Sequence, residues 1–189
     1  MKLINGIKKG LDILLGRLRE QGLRTTILWF YAQGISLTTG IPIMKFCQIT
    51  PQIFVGPQYR RMGRRKLARL GVNSDVNMRV EFDDAKHGLA MERYCHLPTF
   101  DGEVPTLTQL NQGVAFIRQA LEDGGKVYIH CAQGVGRAPT LAAAYFICQG
   151  FTPDEAVNLL KRSRPFIRIS SAQMNQLKRL SAVHGKNSG

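Results

Sequence analysis

Acidic residues are nearly missing from the first seventy positions, where only Asp12 and Glu20 face thirteen Lys and Arg, a surplus of +11. Residues 71–189 are close to balance, with thirteen bases against eleven acids, so the +13 of the chain belongs to its N-terminal third. Such asymmetry suits an acidic partner, either a membrane surface or a nucleic acid; a solvated basic face kept for solubility gives the same pattern. The basic residues are not interleaved with aromatics, which makes nucleic acid the weaker choice. Cysteine is sparse, at 47, 95, 131 and 148, with no C-x-x-C pair. That argues against a disulfide framework or a zinc site and fits a reducing, cytoplasmic compartment. No long run is uniformly apolar. The uncharged stretch "TTILWFYAQGISLTTGIPIM" (25–44) matches the ~20 residues of a membrane span, but four threonines, Gln33, Ser36, two glycines and Pro42 dilute it. It reads as a partly buried or interfacial segment. No small-residue cleavage site follows the first apolar run, so no signal peptide is expected. Repeats and low-complexity tracts are absent too.

What is present begins with "MKLINGIKKGLDILLGRLRE". Ile4, Ile7, Leu11, Leu14, Leu15 and Leu18 recur at helical spacing, with Lys2, Lys8, Lys9, Arg17 and Arg19 mostly off that stripe. Two readings stay open: a basic amphipathic helix on anionic lipid, or a helix packing its stripe on the domain.

From position 46 the chain alternates strands and helices. "CQITPQIFVG" reads as a strand, and "QYRRMGRRKLARLG" as a basic helix (60–69 at its centre) ending at Gly71. "VNSDVNMRV" and "RYCHLP" read as strands. A long helix follows, with Thr106 as N-cap and a stripe of Leu107, Leu110, Val114, Ile117 and Leu121. "KVYIHC" is a continuous apolar run, as expected of a central strand. Helices are expected after the loop that follows, from Pro153 to about Ser163 behind Thr152 as N-cap, and from about Ser171 to His184. The order predicts an α/β fold, a central sheet flanked by helices with an N-terminal helical extension.

The loop itself is "HCAQGVGRAPT" (130–140). A strand, a glycine-bearing turn and a helix start make an anion cradle of backbone N–H groups. No G-K-[ST] closes it, so it is not a Walker loop. Its mouth holds Cys131 and its helix start holds Arg137. Helix N-termini and nearby cations favour the thiolate, which is a nucleophile. A guanidinium fork matches two oxygens of a tetrahedral oxyanion. Cys131, the loop Ala132, Gln133, Gly134, Val135 and Gly136, and Arg137 together suit phosphoryl transfer.

His130-Cys131, five residues, then Arg137 resembles the signature of the cysteine-based protein tyrosine phosphatase superfamily, and its surroundings resemble the dual-specificity branch. The resemblance covers a catalytic domain at 46–185, leaving 1–45 as a basic, apolar extension. It implies a phosphocysteine intermediate, later hydrolysed by water, with no metal or cofactor. It also implies that His130 orients the cysteine and its loop. The family's general acid lies about thirty residues before the cysteine, in the loop after a strand; here that is Asp101 in "LPTFDGEVPTLTQL". Glu103 is the first substitute, and Asp83 and Asp84 the second. The family carries a hydroxyl directly after the arginine, where this chain has Ala138. Its loss is expected to slow hydrolysis of the intermediate unless Thr140 or a water stands in.

The five loop residues carry no charge, which points to a substrate with a single phosphate: a phosphorylated protein or a simple phosphomonoester. "TFDGEVPTLTQL" and "FIRISSAQMNQL" also resemble mitochondrial-type phosphatidylglycerophosphate phosphatases. A lipid phosphatase at a membrane surface, with a phosphatidylglycerophosphate-like or simple phosphoinositide substrate, is therefore the alternative to a protein phosphatase. Residues 1–45 and the 60–69 helix would meet that anionic surface, placing a cytoplasmic protein at the membrane periphery.

Overall fold

The computed structural model describes residues 2–186, with side-chain surroundings for 14–184. Helix α1 (Lys2–Thr39) comes first. Then follow β1 (Ile53–Gly56), α2 (Arg61–Arg69), β2 (Val72–Arg79), β3 (Arg93–Thr99), α3 (Leu107–Glu122), β4 (Lys126–His130), α4 (Arg137–Ile147), α5 (Pro153–Ser163) and α6 (Ser171–Lys186). The four strands form one parallel sheet in the order β1-β4-β2-β3.

Both faces of the sheet are covered, so β1 and β4 read as apolar runs, whereas β2 carries Asn73, Ser74, Asp75 and Asn77 and β3 alternates. Successive side chains still part to opposite faces. Ile53, Val55, Val127 and Ile129 point into the larger core with Leu110 and Ile117 of α3 and Leu141 of α4. Phe54 and Tyr128 point the other way, onto Tyr59 and Leu67 of α2. Each fully buried Leu or Ile is worth roughly 1.5–3 kcal/mol, enough for a few of them to anchor a helix.

The helix starts are set locally. Thr106 and Thr152 each accept from the N–H three residues on, while Gln109 and Glu155 reach back to the cap N–H. These are complete capping boxes. The expected first strand, 47–56, joins the sheet only over Ile53–Gly56, because the chain folds back on itself and Gln48 makes an antiparallel bridge to Phe54.

The N-terminal segment departs further from its sequence pattern. One helical run covers both expected pieces, broken at Gly22, whose φ of 77° suits glycine alone. Ile4, Ile7 and Leu11 lie outside the described side chains. Of the rest of that stripe, Leu14 and Leu18 are half-buried and Leu15 is exposed, while Arg17 is the buried residue. The packing partners are the reason: Arg17 Nη1 donates to Gln21 and to the Phe166 carbonyl, and its guanidinium lies 4.2 Å over the Trp29 ring. Beyond Gly22 the helix is turned about. It seats Thr26, Ala32, Gln33 and Ser36 against the domain, and it exposes Leu23, Ile27, Phe30, Tyr31 and Leu37. No described helix is long and apolar enough to cross a membrane.

Candidate active site

Cys131 follows β4 directly and is 3% exposed at the floor of a cleft of about 660 Å³. Arg137 opens α4 and is also buried there. The loop between them is fixed by its first four carbonyls, each of which is taken from outside, while the Gly136 carbonyl accepts from the Thr140 N–H of α4. Ala132 O accepts from the Gln58 N–H at 3.1 Å, and Val135 O from the Arg168 N–H at 2.7 Å. Gln133 O accepts from Gln33 Nε2 at 2.8 Å and from Arg164 Nη2 at 2.8 Å. Gly134 O accepts from Arg164 Nε at 2.6 Å. In a trans peptide the N–H points opposite the carbonyl, so the following amides turn toward the centre of the loop. The Gly134 N–H lies 3.3 Å from Cys131 Sγ. Gly134 has a φ of 64°, and a Cβ there would come within 2.3 Å of the Gly56 carbonyl, so glycine is required on both counts.

Arg137 is aimed by carboxylates. Its Nη1 and Nη2 fork onto Glu81 at 3.0 and 3.1 Å, and Nη2 also meets Asp101 Oδ1 at 3.0 Å. Thr99 O accepts from Nη1 at 2.7 Å. Burial works against the Arg137 charge, but the Glu81 bond, Cys131 and Asp101 outweigh it and raise its pKa. Glu81 is held near 2: burial pushes it up, and the Arg137 fork pulls it down further.

Behind the nucleophile His130 is wholly buried, 2.9 Å from Asp84 Oδ2 and 3.7 Å from Asp75 Oδ2. Tyr59 donates to Asp75 and Gln58 to Asp84, which fixes both carboxylates. Burial alone would depress the His130 pKa, but the two carboxylates raise it to about 9. The two carboxylates thus favour the charged form of the ring behind the loop. Asp75, Asp84 and His130 bring three donor atoms within 4.8 Å of one another, a spacing a metal could use.

The residues singled out in the sequence are distributed unevenly. Asp101 lines the cleft, on the β3–α3 loop, with its side chain 85% exposed. Glu103 does not line it; its carbonyl accepts from Gln173. Asp84 is spent on His130, and Asp83 accepts from Tyr94 away from the cleft. Ala138 is fully buried. The Thr140 hydroxyl donates to the Gly136 carbonyl at 2.9 Å, so its proton is already placed. Sequence reasoning missed Glu81 and Arg164. Glu81 sits two positions before the flagged Asp83, whereas Arg164 carries no signal beyond preceding Pro165.

The fold and the cleft together define a protein that cradles phosphate around a cysteine. The family model for the dual specificity phosphatase catalytic domain matches residues 53–182. The chain belongs to the cysteine-based protein tyrosine phosphatase superfamily, in its dual-specificity branch. It is 38% identical over 76 residues to phosphatidylglycerophosphatase and protein-tyrosine phosphatase 1 of Homo sapiens, covering 40% of this chain and 38% of that one. Dual specificity protein phosphatase 26 of Mus musculus is 34% identical over 124 residues, 62% of this chain and 58% of its own length. Dual specificity protein phosphatase 1-A of Xenopus laevis is 26% identical over 132 residues, and the match spans only 35% of that protein. Among solved structures, PTPMT1 in complex with PI(5)P superposes with a TM-score of 0.70 at 26% identity, over 75% of this chain and 97% of that one. Tk-PTP in the active form gives 0.65 at 25% identity, over 71% and 95%.

Proposed function

We propose that this chain hydrolyses phosphate monoesters through a phosphocysteine on Cys131. The observation that carries this reading is the loop whose carbonyls from Ala132 to Val135 are bound on the outside, with the Gly134 N–H at the thiol and Arg137 in the same cleft. The ester phosphate displaces Asp101, and in part Glu81, from Arg137. Loop amides and the guanidinium take its non-bridging oxygens. Cys131 sulfur attacks phosphorus, and the ester oxygen leaves with the proton of Asp101. Water then attacks the phosphocysteine, returns a proton to Asp101 and releases inorganic phosphate. His130, clamped by Asp75 and Asp84, fixes the end of β4 from which Cys131 projects. The route needs no metal and no cofactor.

Ala138 supplies the test. With no hydroxyl beside the sulfur and the Thr140 proton on Gly136, the second step is the slow one. Rapid mixing with p-nitrophenyl phosphate is expected to give a burst of nitrophenol and then a slower steady rate. Ala138→Ser should shrink the burst and raise kcat by up to about tenfold, the worth of one hydrogen bond to a charged group. A parent protein without a burst, together with an unmoved kcat in Ala138→Ser, would show that the first step limits both. Acid quenching during the burst should trap phosphate on Cys131; protein turning over with no trapped phosphate would sink the covalent route.

The natural substrate on this reading is a phosphorylated protein side chain, in line with the names of the dual-specificity relatives. One observation favours a second reading, a lipid phosphate at a membrane. The stripe Leu23, Ile27, Phe30, Tyr31 and Leu37 faces solvent, with Arg19 and Arg24 at one end and the exposed Arg61, Arg65 and Lys66 of α2 elsewhere on the basic third. Apolar residues rimmed by cations fit the interface of an anionic leaflet, and the face would hold the protein at the periphery of a cytoplasmic membrane. A groove of about 780 Å³, lined by Trp29, Phe30, Leu37 and Phe82, runs from this helix to Ala132 and Gln133 of the loop. Phe30→Glu with Leu37→Glu should release the protein from vesicles containing anionic lipid in a sedimentation assay. Parent protein that stays in the supernatant, or a double variant that still pellets, removes this reading.

A further inference from the structure

The uncharged loop 132–136 argues for one phosphate per substrate. The cleft as folded carries cations that the loop does not. Arg17, from the first half of α1, and Arg168, from the segment between α5 and α6, line the same cleft as Cys131. Their placement is built rather than incidental. The Arg168 N–H is bonded to Val135 O of the loop, and Arg17 is bonded two residues upstream, to the Phe166 carbonyl. Arg17 is 3% exposed, and its Nε is buried with no acceptor. One carboxylate, Glu20, lies among these cations, and it is paired with Arg168. The Arg17 pKa is lowered to about 10, by burial first and then by Arg168, against the opposing pull of Glu20, with Arg164 adding to the repulsion. Arg17 and Arg168 thus have one paired carboxylate, Glu20, between them on the wall of the anion cradle.

The geometry points to a second phosphate subsite on the cleft wall, made by Arg17 and Arg168 and occupied in the free protein by Glu20. This rests on the phosphatase reading above and narrows it: the preferred ester carries another phosphate group on the same small scaffold. The reacting phosphate enters the loop. The other group takes the place of Glu20 on Arg168 and lies beside the Arg17 guanidinium on the same cleft wall. Planar guanidiniums suit that contact, because their forks match phosphate oxygens in pairs. The cations expected from loop positions are thereby supplied from two remote segments.

The test reads a preference rather than a rate. Glycerol monophosphate is compared with glycerol bisphosphate bearing phosphates on its terminal carbons, and the readout is the ratio of their kcat/KM values. A ratio of about tenfold or more in favour of the bisphosphate is expected, arising mainly in KM and shrinking as salt is raised. Arg168→Ala should bring the ratio close to unity. Arg17→Lys keeps a charge and loses the fork, so it should lower the ratio part of the way. Glu20→Gln should raise the ratio severalfold, an outcome that damage to the fold cannot produce. A soluble short-chain phospholipid with a phosphodiester and a terminal monoester is the third arm. Preference for it over the bisphosphate identifies a lipid headgroup as the source, and the reverse identifies a free bisphosphate. Equal kcat/KM for mono- and bisphosphate in the parent protein, or a ratio that neither Glu20→Gln nor Arg168→Ala moves, overturns the subsite. So does a doubly phosphorylated peptide that shows the preference when glycerol bisphosphate does not. If neither glycerol ester is turned over, the phosphatase reading is what fails. Calorimetric titration with the two esters then still decides the subsite, because tighter binding of the bisphosphate does not need turnover.

Discussion

Cys131→Ser is expected to abolish turnover of p-nitrophenyl phosphate while the protein still binds inorganic phosphate. Serine fills nearly the same volume in a position that is 3% exposed, and it keeps an acceptor for the Gly134 N–H. The outward carbonyls of the loop do not depend on the sulfur, so the cradle survives. What is lost is the nucleophile: a serine hydroxyl needs a base to remove its proton, and the His130 ring is engaged by Asp75 and Asp84. A fall on the order of 10⁴-fold or more matches the scale seen when a covalent nucleophile is removed. Calorimetry with phosphate checks the retained cradle. Substantial turnover in the serine variant would place the nucleophile elsewhere.

Asp101→Asn should be nearly as damaging, but selectively. The alkoxide of an alkyl phosphate must be protonated as it departs, and loss of a positioned acid costs about 10²–10⁴-fold. Nitrophenolate leaves unaided, so p-nitrophenyl phosphate should be far less affected. The alkaline limb of the rate profile should also flatten, since that limb follows loss of the acid's proton. Asp101 sits 3.0 Å from Arg137 Nη2 on an exposed loop, free to turn from the guanidinium to the ester oxygen once phosphate arrives. Glu103→Gln and Asp84→Asn are the controls. If either gives the leaving-group signature and Asp101→Asn does not, the acid has been misassigned. Asp84→Asn should act differently, by loosening the clamp on His130.

Much of this was legible because it is written in neighbouring residues. Thr106 with Gln109, and Thr152 with Glu155, are caps closed over three positions, so both helix starts could be read directly. The thiol, glycines and arginine of 130–137 are similarly contiguous. The partners that aim them are not. Glu81 reaches Arg137 across 56 positions, and Arg164 reaches the Gly134 carbonyl across 30. Arg17 meets the Phe166 carbonyl across 149. Helical spacing placed Arg17 off the packing stripe, and the fold buried it, because a carbonyl and an indole face were waiting there. A hydropathy pattern scores such a residue as surface; only the tertiary partner reverses that. Residues 25–44 were read as a partly buried or interfacial segment, and the partial burial is there, with threonine, serine and glutamine toward the domain and large apolar groups on the other side.

The sheet order has a consequence for how the chain comes together. Within the sheet β1 pairs with β4 alone, Ile53 opposite Val127, and β4 is also the strand that ties β1 to β2. During synthesis β1 must wait, with no more than its local bridge to Gln48, while more than half of the domain is made. β2 and β3 can form a ladder meanwhile, but nothing joins it to β1. Parallel pairings that span so much chain are slow to form, because the intervening loop must be closed before any contact repays it. Closure comes with β4, and Cys131 is the next residue along. The strand that completes the sheet is thus the one that delivers the nucleophile, and the cradle around the thiol cannot be assembled ahead of the fold.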